Sequence, residues 1–100
     1  MRLIVRPEAE ADLALGFDWY QNQRAGLGAE FIAEVSRTLE SVADQPLQYP
    51  VILTPLRRAL VRRFPYAVFF VGDPEVVVVV AALHMARNPN VLLRRWSADL

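Results

Sequence analysis

His84, Arg87, Arg94, Arg95 and Trp96 fall within thirteen positions near the end of a 100-residue chain, directly after the apolar run Val76 to Leu83. Imidazole is the side chain best suited to moving protons near neutral pH, and the guanidinium fork holds phosphate or carboxylate. A histidine followed three residues later by an arginine could deprotonate a nucleophile beside a bound anion. Equally, arginines beside a tryptophan are the usual make-up of an interface hot spot. Each residue also has a purely structural reading. His84 ends what reads as a core strand and could be hydrogen-bonded at the sheet rim, and Arg87 could cap or pin the tail.

Arg57, Arg58, Arg62 and Arg63 flank "ALV" in pairs. If "RRALVRRF" is a strand, alternation sends one member of each pair to each face. Arg58 and Arg62 would then join Arg87 and Arg94 on an open basic surface for RNA or an acidic partner, or serve to block sheet aggregation at an edge. Trp19 and Tyr20 are adjacent on a predicted helix, so both cannot bury against the same sheet; one packs and the other is exposed. No Gly-rich loop precedes a helix, which leaves nucleotide cofactors unsupported, and the acids lack metal-ligand spacing. No cofactor or metal is expected. Glu8, Glu10 and Asp12 are read as acids placed for the helix dipole and for solvent.

These groups need elements to carry them. "RLIV" is a short strand stopped before Pro7, which suits the first turn of a helix. Ala9, Leu13, Gly16, Phe17 and Tyr20 recur as one helical stripe until Arg24 and the glycines Gly26 and Gly28. A second helix carries Phe31, Ile32, Val35, Leu39 and Val42 on one face and stops at Gln45-Pro46. Residues 46 to 56, with three prolines, read as loop. "RRALVRRF", "YAVFFV" and "EVVVVVAAL" read as strands separated by Phe64-Pro65-Tyr66 and Gly72-Asp73-Pro74. Such short connections permit only antiparallel neighbours, and an unbroken valine run suits a strand buried on both faces. The expected fold class is α+β, in the order β-α-α-β-β-β, with a helical hairpin packed on one face of a small, mainly antiparallel sheet. Arg94, Arg95 and Trp96 are placed on a tail beyond the last core strand that contributes little burial but can contribute contact.

Composition bounds the setting. One hundred residues with 54% hydrophobic content suit a single domain over residues 1–100. The longest apolar run is too short for a bilayer, and charge and proline come too early for a signal peptide, so no membrane role is expected. With no cysteine, disulfides and zinc-thiolate sites are excluded, and the cytoplasm is the expected compartment. All eleven basic residues are arginine. Residues 1–50 hold eight acids and four arginines, residues 51–100 three acids and seven, so a net of −4 is followed by +4. The second half can therefore build a local basic field on a neutral chain.

In order and spacing, "RLIVRPEAEADL", "FDWYQ", "FPY" before "AVFF", and the closing "ALHMARNP…W" resemble the RelE/ParE superfamily of bacterial type II toxin-antitoxin toxins. RelE-like members cut messenger RNA on the ribosome, whereas ParE-like members, the plasmid-stabilisation branch, inhibit DNA gyrase. Several of the nucleases carry a tyrosine near the C-terminus. Here Met85 follows His84 and no tyrosine comes after Tyr66, so the chain looks closer to the ParE-like branch. The resemblance implies a toxin that binds gyrase and a cognate antitoxin in a hetero-oligomer, with no catalytic residue. It also suggests a groove between helix hairpin and sheet for an antitoxin segment. Target or antitoxin contacts are then expected from Trp19, Tyr20, Arg58, Arg62, Arg87, Arg94, Arg95 and Trp96. The alternative, a ribosome-dependent endoribonuclease acting on mRNA, would use His84, Arg87 and Arg62.

Overall fold

The computed structural model describes residues 2–72 and 75–98. Their order is β1 (Arg2–Val5), α1 (Pro7–Gln23), α2 (Leu27–Asp44), a 3-10 turn (Pro46–Gln48), β2 (Val51–Leu53), β3 (Leu56–Leu60), β4 (Tyr66–Gly72), β5 (Val76–His84) and α3 (Asn90–Ala98). The fold is α+β. One five-stranded sheet runs β1-β5-β4-β3-β2, with β1 parallel to β5 and the other neighbours antiparallel. The valine run lies between two strands, as its uniformly apolar sequence requires, although β4 is the middle strand of the five.

Pro7 ends β1 and opens α1, with Glu8 and Glu10 in the first turn. Ala9 and Gly16 of the predicted stripe are buried, and Leu13 and Tyr20 pack beside them. On α2, Phe31, Val35 and Val42 are buried. Together with Ala59, Val68, Phe70, Val77 and Val79 they form the core between the hairpin and one face of the sheet. The helices meet at small residues. A Cβ on Gly28 would lie 2.8 Å from the Phe17 carbonyl oxygen and from its ring. Gln21 Oε1 accepts from the Gly26 and Gly28 N–H groups, supplying the start of α2 with acceptors that its own sequence lacks.

Three expectations change. The strand expected over 57–64 stops at Leu60. Arg62 and Arg63 lie in the bend before β4, with Arg63 at φ 71°, so strand alternation does not place them. Within 46–56, Val51–Leu53 pairs antiparallel with β3 as an edge strand. The supposed tail is a helix, opened by Asn88 Oδ1 accepting from the Asn90 N–H with Pro89 between them. It packs Leu92, Val91 and Trp96 on the face of the sheet opposite the hairpin, against Leu56, Phe69, Val80 and Leu83. The tail therefore does contribute burial. Of the second expected break, Asp73 and Pro74 lie outside the described residues.

A bulge in β5 sets which residue faces which layer. Phe69 pairs with Ala81 and Phe70 with Val79, leaving Val80 extra. Val79 packs under the hairpin, while Val80 and Ala81 both belong to the α3 side. Alternation then resumes in the opposite phase, so Leu83 faces α3 and His84 meets Tyr66 on the hairpin side.

Gly28→Ala tests the closeness of the helices. Alanine favours a helix by about 1 kcal/mol, but its methyl would press on a backbone oxygen that cannot move aside, and overpacking costs about 1–3 kcal/mol. The variant is expected to unfold at lower urea than the parent; an increase in stability would show that the hairpin has slack.

Candidate functional site

A groove of about 250 Å³ opens on the α3 side of the sheet. Ile52 comes from β2, Arg58 from β3, Phe69 from β4 and Leu83 and His84 from β5. Met85, Arg87, Asn88 and Pro89 line the turn beyond β5, and Leu92 closes the α3 end. No carboxylate is among the lining residues, and neither Arg58 nor Arg87 has an acidic partner among the described residues. Phe69, Leu83 and Leu92 form an apolar floor, and Ile52 and Met85 stand exposed at the rim.

α3 owes its position to a residue placed by the sequence reading on a solvated helix start. Asp12 is 8% exposed. Its Oδ2 accepts from Arg95 Nη1 at 2.6 Å and from the Ala82 N–H at 3.0 Å, and its Oδ1 accepts from Arg95 Nη2 at 3.2 Å. The backbone explains the need. β1 accompanies β5 only as far as Val5 opposite Val79. Farther along, Ala82 N–H donates to Asp12, and Val80 O accepts from Arg95 Nη1 at 3.4 Å. The ion pair thus closes the part of the β5 edge that Pro7 denies to β1, and it ties α1 to α3 around that edge.

The other arginines divide by task. Arg57 donates to the Tyr49 and Leu47 carbonyls and fixes the 3-10 turn. Arg63 pairs with Glu30 at 2.9 Å and Glu34 at 3.6 Å, while Arg24 and Arg37 hold the outer sides of those same carboxylates. Hydrogen bonds from Arg63 and then Arg24 lower the Glu30 pKa below its ordinary value. Arg62 lies away from the groove, beside Glu34, Arg37, Thr38 and Ser41 of α2. Arg94 is exposed on α3.

Of the residues expected to act together, Arg58, His84 and Arg87 share the groove, and Arg62 does not. Arg95 and Trp96 turn inward, into the ion pair and the second core. Trp19 is 61% exposed on the far side, while Tyr20 packs edge-on to Phe64 and against Phe31, the division expected for adjacent helix positions. At the rim, His84 Nδ1 accepts from the Ala86 N–H at 3.0 Å, and its ring stands edge-on to Tyr66 at 5.4 Å. A tyrosine therefore does neighbour the histidine, supplied by β4 rather than by the C-terminus. Its hydroxyl points toward α1, 3.2 Å from where a Cβ on Gly16 would sit. Burial raises the Tyr66 pKa above 10.0; Tyr20 and Asp12 add to the rise and Arg87 opposes it. Among the described residues no cluster of His, Asp or Glu could hold a metal, and no helix is long and apolar enough to cross a membrane.

The comparison with protein families decides the grouping. A model of the ParE toxin of the type II toxin-antitoxin system parDE matches residues 3–89. The chain belongs to the ParE toxin family. Its fold matches a solved structure, a chromosomal ParDE toxin-antitoxin system from P. aeruginosa, with a TM-score of 0.75. That match has 16% sequence identity and covers 84% of this ParE chain and 95% of the other. No curated protein sequence matches it significantly.

Burial also raises the Tyr20 pKa. A phenol whose folded pKa exceeds its unfolded value contributes stability that is complete below about pH 10 and lost as pH rises through the folded pKa. Urea stability of the parent is therefore expected to fall from about pH 9 to about pH 11 by more than that of Tyr66→Phe. Equal losses in the two proteins would contradict the burial of the Tyr66 phenol.

Proposed function

We propose that this ParE-family chain, a single toxin domain, acts in the cytoplasm by binding and inhibiting DNA gyrase. A cognate antitoxin silences it within a hetero-oligomer. Family membership over residues 3–89 carries the reading, and the chemistry of the groove supports binding rather than proton transfer. Cleavage of RNA by 2′-hydroxyl attack needs a base, an acid and cations around one phosphate. Here the imidazole Nδ1 is engaged by a backbone N–H, the neighbouring phenol is turned into the core, and Arg62 stands apart from His84 and Arg87.

His84→Ala separates the two mechanisms. Loss of a positioned acid or base lowers a rate about 10²- to 10⁴-fold. Loss of one rim hydrogen bond costs stability of about 1 kcal/mol. The variant, expressed without antitoxin, is expected to arrest growth and to inhibit supercoiling by purified gyrase within a few-fold of the parent, leaving ribosome-bound message uncut. Gyrase that ignores the parent protein, together with message cleavage abolished by His84→Ala, would replace this reading with the endoribonuclease.

A further inference from the structure

The helix hairpin is closed onto the sheet by the larger core, and a concave surface lies on the opposite, α3 side. We propose that this groove binds a free amphipathic monocarboxylate, a small acid whose aliphatic or aromatic body lies on the apolar floor while Arg58 and Arg87 hold its carboxylate. Such a site follows from the lining side chains alone, whatever the toxin's target.

Hydrogen-bonding character selects the head of the ligand. Neither the Arg58 nor the Arg87 side chain takes part in a hydrogen bond or ion pair among the described residues, whereas Arg57, Arg63 and Arg95 are all bound within the chain. Asn88 Oδ1 already accepts from the Asn90 N–H, which leaves the side-chain NH2 of Asn88 as a donor. His84 Nδ1 is likewise taken by the Ala86 N–H, so the neutral ring carries its hydrogen on Nε2. No lining side chain is a carboxylate, a hydroxyl or an unoccupied amide oxygen. The groove thus offers donors and two positive charges, with no side-chain oxygen to receive a hydrogen bond. That selects against ammonium groups, sugars and other ligands that must donate, and favours a carboxylate. The positive end of α3, whose first turn holds no acid, adds to the same preference.

Size and floor select the body. Arg58 stands directly across from Phe69 in the sheet register, which sets a cation beside the apolar floor. Phe69, Leu83 and Leu92 continue the core beneath α3, and Ile52 and Met85, 40% and 47% exposed, carry the apolar surface to the rim. A volume of about 250 Å³ lies below the ~300–1,000 Å³ of pockets for drug-sized ligands. It equals the space of about eight liquid waters, so an acid of about ten non-hydrogen atoms fills it. A phosphate ester is a poorer match, since its second charge and third oxygen call for more cations than two. A polypeptide end carries the same carboxylate, but its backbone N–H groups would need acceptors that the lining side chains do not provide.

The test titrates the full chain with octanoate and with phenylpropionate, following backbone amides by NMR and folding by circular dichroism. Both acids are expected to shift the amides between Leu83 and Leu92 with a Kd on the order of 0.1–1 mM, as about ten non-hydrogen atoms allow. Acetate, which lacks the body, and octylamine, which reverses the head, should leave them in place. Arg58→Gln/Arg87→Gln is expected to weaken octanoate about tenfold or more through lost charge-assisted hydrogen bonds, and the charge-matched Arg24→Gln/Arg37→Gln on the helix hairpin less than about twofold. If the groove pair does not fold, Met85→Glu decides the outcome, because a carboxylate on the exposed rim should repel octanoate to a similar degree. Shifts centred on other exposed apolar residues such as Leu15 and Trp19, equal binding of octylamine, or unchanged affinity in the folded groove variants would each overturn the proposal. So would no binding of either acid at millimolar concentration. Tighter binding of acetyl-alanyl-leucine than of either acid overturns the free-acid assignment and gives the groove to a polypeptide end. None of these results bears on growth arrest or gyrase inhibition, so the toxin reading stands or falls separately.

Discussion

The Asp12–Arg95 pair holds together parts of the fold that sequence order keeps far apart. Eighty-three positions separate the two residues, and the pair meets at the one stretch of β5 that β1 does not reach. A buried carboxylate alone would be strongly unfavourable, and a β-strand edge with unmet N–H and C=O groups would be little better. Placing one against the other resolves both. Asp12 takes the Ala82 N–H, Arg95 neutralises Asp12, and the Val80 carbonyl accepts from Arg95. Once α3 is fixed there, Leu92 lies over Leu83 and Leu56, and the lead-in from Met85 to Pro89 becomes one wall of the groove. The groove is therefore a consequence of how the sheet edge is closed.

The bulge at Val80 supplies the second constraint. Without the extra residue, strict alternation would turn Leu83 toward the hairpin and His84 toward α3, exchanging the apolar floor for an imidazole. With it, His84 joins the aromatic cluster of Tyr20, Phe31, Phe64 and Tyr66, where its ring packs and its Nδ1 is satisfied locally. The adjacent residues Leu83 and His84 are thereby assigned to opposite layers, Leu83 to the α3 side and His84 to the hairpin side. That leaves Arg58 and Arg87, with the apolar surface between them, facing the groove.

Much of the fold was legible in the chain. Pro7, the glycines near position 26 and Pro46 marked the helix limits because proline and glycine act locally on the backbone, and the valine run announced an interior strand. The Trp19 and Tyr20 division followed from helix geometry alone. What escaped depends on tertiary pairing. Asp12 reads as solvated because its partner is on α3, and no local pattern distinguishes it from Glu8 or Glu10. Val51–Leu53 is a strand only because β3 lies beside it. The early end of β3 at Leu60 reflects a bend stabilised by Arg63 reaching Glu30 and Glu34 on α2. For α3, by contrast, a signal was present: Asn88-Pro89 is a helix start, and Leu92 and Trp96 stand four residues apart on one face. Of the candidate site, the sequence identified Arg58, Arg87 and His84, but it could not group them apart from Arg62 and Arg95, since a strand limit and an ion pair decide that division.

A double-mutant cycle over Asp12 and Arg95 tests most directly whether this pair fixes α3 and with it the groove. Asp12→Asn, Arg95→Met and the double variant would be compared with the parent by urea unfolding, with Trp96 fluorescence reporting the seating of α3. Each single change is predicted to cost about 2 kcal/mol or more, between the values of surface and buried pairs, and to shift the Trp96 emission to the red. The double variant should lose clearly less than the sum, with a coupling of about 1 kcal/mol or more. Small, additive losses with unchanged Trp96 emission would contradict the account and leave α3 held by its apolar contacts alone.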